Sequence, residues 1–496
     1  MQALQTSSRA DHPYLTDEPK RLLIGGKWVE ARSGRTFDVL NPATGQVIAK
    51  VAEGDATDID RAVEAARTAF EGPWSGFKPY DRQTLMLAIA DLIERDFEEL
   101  GLLETLDTGA PLASVRLRKR FMLQAFRFYA AQAVGIYGET VRNSVPGDMF
   151  SFSLKDPIGV VGGIIPWNSP MISQLWSICP TLATGCTLVL KPAEDAPLSA
   201  LRLAILMQEA GLPDGVINIV TGMGRTAGAR LAEHPGVDKI AFTGSTATGR
   251  TILQAAATNM KRVAVELGGK SPDIIFADAD LEAAVPGAAR GCFNNSGQIC
   301  YAGSRVLVQR PVYDRVVEGM AAFGKTLKVG NGLGLDVDLG PLISAKQLAT
   351  VSNYVDIAKD EGAVVVSGGE RLQDDLAEGY FMPPTVLSGV SNDMRIAREE
   401  IFGPVVSVIP FDTPEEAVRL ANDTTYGLGA AVWTHDVSTA HRTAKAIRSG
   451  MVWINCYGVT EPAVTSEGFK MSGYGAKGGR RHLDEYLYTK SVWLNV

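Results

Sequence analysis

The strongest constraint on this chain is its repeated alternation of short β-branched runs with helical segments. The opening is β-rich, with strands expected at 22–24, 27–30, 36–40 and 47–51 between Gly-Gly, Ser-Gly and Asn-Pro turns. Ala62, Val63, Ala66, Ala69 and Phe70 then fall at helical spacing, and Asp58 is placed to cap that helix. Further helices are expected at 82–95 and 115–133. From 159 onward the pattern becomes regular: strands at 159–165, 187–191, 216–220, 239–243 and 262–267 alternate with helices at 198–209, 225–232 and 248–258. Apolar runs buried on both faces and joined by helices form a parallel sheet covered on two sides. The alternation restarts after Ser271, with strands at 273–276, 305–309 and 364–367 and helices at 281–293, 312–327 and 345–361. The fold class expected is therefore α/β, with two parallel-sheet, Rossmann-like domains. The tail from Tyr486 to Val496 is β-rich and lacks an obvious partner, as a strand that completes another subunit's sheet would.

Composition narrows the function classes. At about 150 residues per domain, 496 residues allow two or three domains without staples. A net charge of −8 argues against a nucleic-acid partner held by electrostatics. The first twenty residues carry no apolar stretch, and the longest apolar runs fall far short of the ~20 residues that span a bilayer. A soluble, cytoplasmic protein is expected. Five Cys in a long chain make no disulfide framework, so any special Cys is special for its reactivity.

The local candidates are few. Gly222-Met-Gly224-Arg-Thr-Ala-Gly228 resembles G-x-G-x-x-G with the last gap one residue too long. Phe242-Thr-Gly244-Ser245 ends a strand and opens a helix, where backbone amides hold phosphate. Cys179, Cys186, Cys292 and Cys456 sit in apolar surroundings, whereas Cys300 follows a loop-like Asn-Asn-Ser-Gly-Gln-Ile stretch. Glu266 ends an apolar run and is either paired or functional. The five His lie in polar or charged segments, none is placed for a Cys–His pair, and no metal-ligand spacing is present.

Together these segments resemble an NAD(P)-dependent aldehyde dehydrogenase over nearly the whole length. The resemblance rests on Asn41-Pro-Ala-Thr-Gly45, Ile165-Pro-Trp167-Asn168, Lys191-Pro-Ala-Glu194, Phe242-Thr-Gly244-Ser245, Val265-Glu266-Leu267-Gly-Gly-Lys270, Gly297-Gln-Ile299-Cys300 and Glu399-Glu400-Ile-Phe402-Gly-Pro404. The Glu266–Cys300 separation also matches the family's spacing.

The resemblance implies that Cys300 adds to an aldehyde, with the Asn168 amide and the Cys300 N–H stabilising the oxyanion. Oxidation leaves a thioester, and Glu266 activates the water that hydrolyses it to a carboxylic acid. It implies an NAD site built from Ile165, Trp167, Lys191, Glu194, Gly244, Ser245, Leu267, Glu400 and Phe402. Glu194 at the adenosine ribose would repel a 2′-phosphate, which favours NAD over NADP. The substrate pocket implied comprises Ser169, Trp176, Ile299, Tyr301, Thr460 and Ser466.

The division implied is an NAD-binding domain (1–136 and 158–266), a catalytic domain (267–473) and a small β oligomerisation unit (137–157 and 474–496) in a homodimer or homotetramer. A CoA-acylating relative typically lacks the water-activating Glu, so Glu266 argues for hydrolysis.

The chain also departs from the family. Ser169 and Thr460 replace common aromatics, and Thr465-Ser466-Glu467-Gly468 replaces Pro-Phe-Gly-Gly, which implies a wider, more polar pocket. Glu461 and Glu467 favour a cationic aldehyde, whereas the basic run at Arg116, Arg118, Lys119 and Arg120 favours an anionic one or is simply a solvated face. Where many relatives carry a Lys after the tunnel Trp and a Glu near the C-terminus, this chain has Ser177 and Lys477.

Overall fold

A computed structural model describes residues 12–496. Its first sheet runs in the order Gly473–Tyr474, Arg262–Glu266, Lys239–Thr243, Val160–Ile164, Thr187–Lys191, Ile217–Ile219, Leu22–Ile24, Lys27–Val29. The strands from Arg262–Glu266 to Ile217–Ile219 are all parallel, and antiparallel strands close both edges. Alternate residues feed two cores. Val161, Leu188, Leu190, Ile217 and Ile219 pack with the helices Pro79–Arg95, Leu112–Ala133, Leu175–Thr184 and Leu198–Glu209. Val160, Val189, Ile240, Phe242 and Val265 pack on the opposite face with Ala56–Glu71. Burial on both faces is what made these strands read as continuous apolar runs.

The second sheet runs Val364–Ser367, Thr385–Ser388, Val405–Phe411, Arg305–Gln309, Pro272–Ile275, Gly429–Trp433, Met451–Ile454. It is parallel except at Val364–Ser367, and it too is filled on both faces. Thus the two α/β sheets expected from the alternation are present.

Several local expectations need correction. The Ala56–Glu71 helix is capped by Asp55, whose carboxylate accepts from the Thr57 amide at 2.9 Å. Asp58, expected as the cap, sits inside the first turn and accepts back from the Asp55 amide at 3.3 Å, completing a capping box. The helix Phe97–Thr108 was not anticipated. Most of its residues are buried, Glu104 and Asp107 included, so it has no polar face to produce a periodic signal. The segment expected as a helix at 225–232 begins instead as a π turn, Gly224–Gly228, before Ala229–Glu233. The C-terminal strand Leu487–Asn495 does have a partner in its own chain: it pairs along its length with Met149–Pro157, antiparallel, with Thr140–Val141 beyond. Its other edge has no strand partner among the described residues. Among the described residues no helix is long and apolar enough to cross a membrane.

Candidate active site

The site lies where the two sheets meet. Ile164, Lys191, Thr243 and Glu266 end four neighbouring parallel strands and are in register as Ile164–Lys191 and Thr243–Glu266, so the loops that follow them share one edge. The carboxyl ends of such strands are where open α/β sheets bind ligands. From the opposite side the second sheet presents the beginnings of its strands. Cys300 precedes Arg305–Gln309, and Glu400 and Phe402 precede Val405–Phe411.

The crossover between the sheets, Leu267 to Ser271, passes between these groups. A Cβ built on Gly268 would stand 2.1 Å from Glu400 Oε2, and one on Gly269 would stand 2.4 Å from the Cys300 carbonyl oxygen. Gly269 therefore has to be glycine for close approach to the Cys300 backbone, whereas at Gly268 the Glu400 side chain would have to turn aside.

Cys300 is set by an unusual turn. The helix Leu281–Phe293 is followed by three residues in the left-handed region, Asn295 (φ +53°), Ser296 (+55°) and Gly297 (+71°). Strain of this kind persists only where the surroundings over-determine it, and here they do. Ser296 Oγ donates to Gly340 O at 2.7 Å, Gln298 Oε1 accepts from the Ile343 amide at 2.9 Å, and Asn295 Nδ2 donates to Asn168 O at 3.0 Å. Asn168 Nδ2 donates to Gln298 O at 2.8 Å, so the side chain sits against the Cys300 loop, with its amide engaged by that loop's carbonyl. Cys300 is partly exposed, while Cys179, Cys186 and Cys292 are buried. Cys456, expected to be buried, is half-buried. Burial pushes the Cys300 thiol up to about 11; Lys477 opposes this, and Glu266 and Glu400 add to it.

Glu266 is buried, at 9% exposure, and its pKa is raised by that burial. Lys477 Nζ lies 3.6 Å from Glu266 Oε2 and is the group that pulls the pKa back down. Glu266 Oε1 has no hydrogen-bond partner among the described residues. Glu467, which raises the pKa, is paired with Arg481 at 2.8 Å.

The cofactor candidates cluster along the first sheet's edge. Lys191 is almost wholly buried and meets Glu194 Oε2 at 2.7 Å, while Glu194 Oε1 accepts from the Gly224 amide at 3.3 Å. Burial alone would raise the Glu194 pKa, but Lys191 outweighs it and the net shift is downward. Ser245 caps the helix Thr246–Ala256 at an exposed end. Gly244 precedes it, and Leu267 packs against Gly249 in its first turns. The rings of Trp167, in the loop after Ile165, and Phe402 meet edge to face at 5.3 Å. Phe402 holds φ +58°, and Glu400 accepts from the Gly269 amide at 3.1 Å with its pKa raised by burial to about 7.

The expected pocket residues are less uniform. Ser169 begins the turn before Pro170–Ser173, Trp176 stacks edge to face on Phe121 at 5.6 Å, and Tyr301 packs on Trp453 at 5.6 Å. Ile299 and Tyr301 flank Cys300 and are half-buried, whereas Thr460 is exposed. Ser466 is tied through its backbone to Lys477, each amide donating to the other's carbonyl at 2.8 Å.

Two neighbours of the site differ from their sequence reading. Arg118 is not on a solvated face: it is 17% exposed, donates to Glu104 Oε1 at 3.2 Å, to Ser169 Oγ at 3.1 Å and to Asn295 Oδ1 at 3.3 Å, and so ties together the loops carrying Asn168 and Cys300. Arg116, by contrast, pairs outward with Glu98. His482, expected in a polar segment, is buried, bonded to the Tyr129 hydroxyl at 2.7 Å, and lines a cavity shared with Glu266. The basic run along 116–120 gave no sign of which Arg turns inward. Among the described residues no group of three or more His, Cys, Asp or Glu is placed to hold a metal ion.

Comparison with known proteins supports the same reading of the chain. The profile of the Aldehyde dehydrogenase family matches residues 28–492. The mitochondrial aldehyde dehydrogenase of Homo sapiens is 46% identical over 480 residues, covering 96% of this chain and 92% of that protein. The NAD+ complex of a Bacillus cereus aldehyde dehydrogenase superposes with a TM-score of 0.94 at 46% identity, covering 97% of each chain. A betaine aldehyde dehydrogenase from Staphylococcus aureus, in complex with NAD+, superposes with a TM-score of 0.96 at 41% identity over 99% of this chain and 97% of that one. With its match spanning nearly the whole sequence and both sheets, this chain belongs to the aldehyde dehydrogenase family.

Proposed function

We propose that the protein oxidises an aldehyde to a carboxylic acid with NAD, through a covalent adduct on Cys300 that Glu266 helps to hydrolyse. The observation that carries this reading is the convergence of Cys300, Glu266 and Glu400 around the two-glycine crossover, where both carboxyl groups act on the Cys300 thiol.

The residues along the first sheet's edge fit a dinucleotide. Exposed amides at the start of Thr246–Ala256 suit a pyrophosphate, and Lys191 with Glu194 suits ribose hydroxyls. Glu194, held as a carboxylate, accepts from hydroxyls and repels a 2′-phosphate, which favours NAD over NADP. Glu400 and Phe402, held beside the crossover and Trp167, suit the nicotinamide ribose. NAD, when bound, supplies the two-electron acceptor that turns the Cys300 adduct into a thioester.

The chain's own residues do the rest. Cys300 Sγ adds as thiolate to the aldehyde carbon, placing negative charge on oxygen. The Asn168 amide and the Cys300 N–H are the donors for that charge once Asn168 releases Gln298 O. Glu266 accepts a proton from water as its oxygen attacks the thioester; the carbon–sulfur bond then breaks, and the acid leaves with Cys300 as thiolate. Ser169, Ser466 and Thr460 make the pocket more polar than an aromatic tunnel.

The domain assignment follows the same reading: 1–136 (of which 1–11 lie outside the described residues) and 158–266 bind NAD, 267–473 carry Cys300, and 137–157 with 474–496 form the oligomerisation unit of a homodimer or homotetramer. The exception is that Gly473–Tyr474 edges the first sheet and Leu483 and Tyr486 pack in its core, which leaves Leu487–Asn495 as this unit's C-terminal strand. Supporting the oligomerisation unit, the Leu487–Asn495 strand has no strand partner on its other edge among the described residues, and Phe150, Leu154, Trp493 and Leu494 are exposed on that small sheet. A free Cys nucleophile suits a reducing compartment, which we take to be the cytoplasm.

Cys300→Ala tests the reading. NAD reduction with a panel of aliphatic, aromatic, amino- and carboxy-aldehydes should vanish while NAD binding persists; substantial remaining turnover would refute the nucleophile.

A further inference from the structure

The groups around Glu266 include one cation whose position is not explained by packing. Lys477 lies in the turn between the edge strand Gly473–Tyr474 and the helix Arg481–Asp484, and its backbone is clamped to Ser466 by paired hydrogen bonds. From there its side chain reaches inward to Glu266 Oε2 at 3.6 Å and donates to Thr243 Oγ1 at 3.3 Å. Thr243 and Glu266 are register partners on adjacent strands, so Lys477 bridges two strand ends at the catalytic edge.

Behind the pair lies a cavity of about 20 Å³, room for one water molecule, lined in part by Trp176, Ser177, Thr243, Glu266, Lys477 and His482. Glu266 Oε1, buried and without a partner among the described residues, is the polar atom such a water would satisfy.

We infer that Lys477 is the positioning residue that keeps Glu266 in its carboxylate form, ready to accept the proton of the attacking water. The inference rests on Glu266 being the base. The charged and titratable groups facing the carboxylate are Lys477 from the 475–478 turn, Glu467 from its loop, Cys300 from the second sheet and His482 from the Arg481–Asp484 helix. Glu467 is paired with Arg481, and burial, reinforced by the nearby Lys239 and Lys477, keeps His482 in the uncharged form. Lys477 is thus the one cation among the described residues whose charge acts directly on both Glu266 and Cys300.

The position of the charge decides the sign. A cation beside a buried carboxylate lowers its pKa, so removing it raises the pKa further and shrinks the carboxylate fraction near neutrality. Lys477→Met should move the acidic limb of the kcat profile up by about one pH unit or more and slow iodoacetamide alkylation of Cys300 severalfold at fixed pH. Lys477→Arg should restore both, and thermal melting confirms that each variant is folded; Lys477→Gln replaces the Met variant if that fails to fold. An unmoved acidic limb in a folded, uncharged variant overturns the inference. So does an Arg variant as impaired as the Met variant, because packing and not charge would then be responsible. Glu266→Gln run alongside separates the two claims. If Glu266→Gln leaves turnover intact, Glu266 itself is not the base; if it abolishes turnover while Lys477→Met behaves as wild type, only the role of Lys477 falls.

Discussion

The two-glycine crossover makes a sharp prediction. A Cβ at Gly269 would approach the Cys300 carbonyl to 2.4 Å, whereas ordinary contact begins at 3.4 Å. The Cys300 backbone must therefore retreat by about 1 Å, a misplacement that costs about 100-fold in rate when it falls on a reacting group. The alanine cannot slide the other way, because Leu428 Cβ and Ser271 Oγ already stand 3.5 Å off. Overpacking of this kind also costs about 1–3 kcal/mol of stability. At Gly268 the clash is with Glu400 Oε2, the far end of a side chain that can rotate away and lose its bond to the Gly269 amide. Steady-state kinetics on both variants, with melting curves as control, should show Gly269→Ala losing kcat about 100-fold with the KM for NAD little changed. Gly268→Ala should mainly raise the KM for NAD. A folded Gly269→Ala enzyme with kcat within about twofold of wild type would show that the nucleophile does not depend on this approach.

Other perturbations probe separate parts of the site. With its thiol pushed up to about 11, free Cys300 should react with iodoacetamide about tenfold faster for each pH unit between pH 7 and 9; a plateau in that range would show a thiol already ionised. Glu194→Gln removes the carboxylate held by Lys191 and Gly224, and should raise the kcat/KM ratio for NADP over NAD; an unchanged ratio would remove Glu194 from the ribose site. Arg118→Met cuts the ties to Ser169 and Asn295 while leaving Glu104 buried without its partner, so kcat and melting temperature should fall together; a fully stable, fully active variant would show that the two loops hold their places without it.

Much of this architecture was legible because its signals are local. The strands Thr187–Lys191, Lys239–Thr243 and Arg305–Gln309 coincide with the apolar runs that announced them, since burial on both faces leaves no polar interruption. Cys300 stood apart from the other thiols by its Gly-containing loop, and Glu266 by a carboxylate closing an apolar strand. What the sequence hid was determined by contacts between distant segments. Lys477 meets Glu266 only because Gly473–Tyr474 joins the edge of the first sheet, and nothing near Lys477 in the chain signals that pairing. Arg118 turns inward because Glu104 lies buried beneath it on a helix that had no amphipathic pattern to reveal it. The C-terminal strand's partner, Met149–Pro157, lies more than three hundred residues upstream, and only the family resemblance grouped the two stretches.

The central claim is that Cys300 and Glu266 perform separate halves of one reaction. The direct measurement is intact-protein mass spectrometry of the Glu266→Gln enzyme, quenched after mixing with NAD and an aldehyde that the wild type turns over. The account predicts a burst of NADH equivalent to the active sites and an acyl adduct that maps to Cys300. No adduct, together with a wild-type steady-state rate, would contradict it.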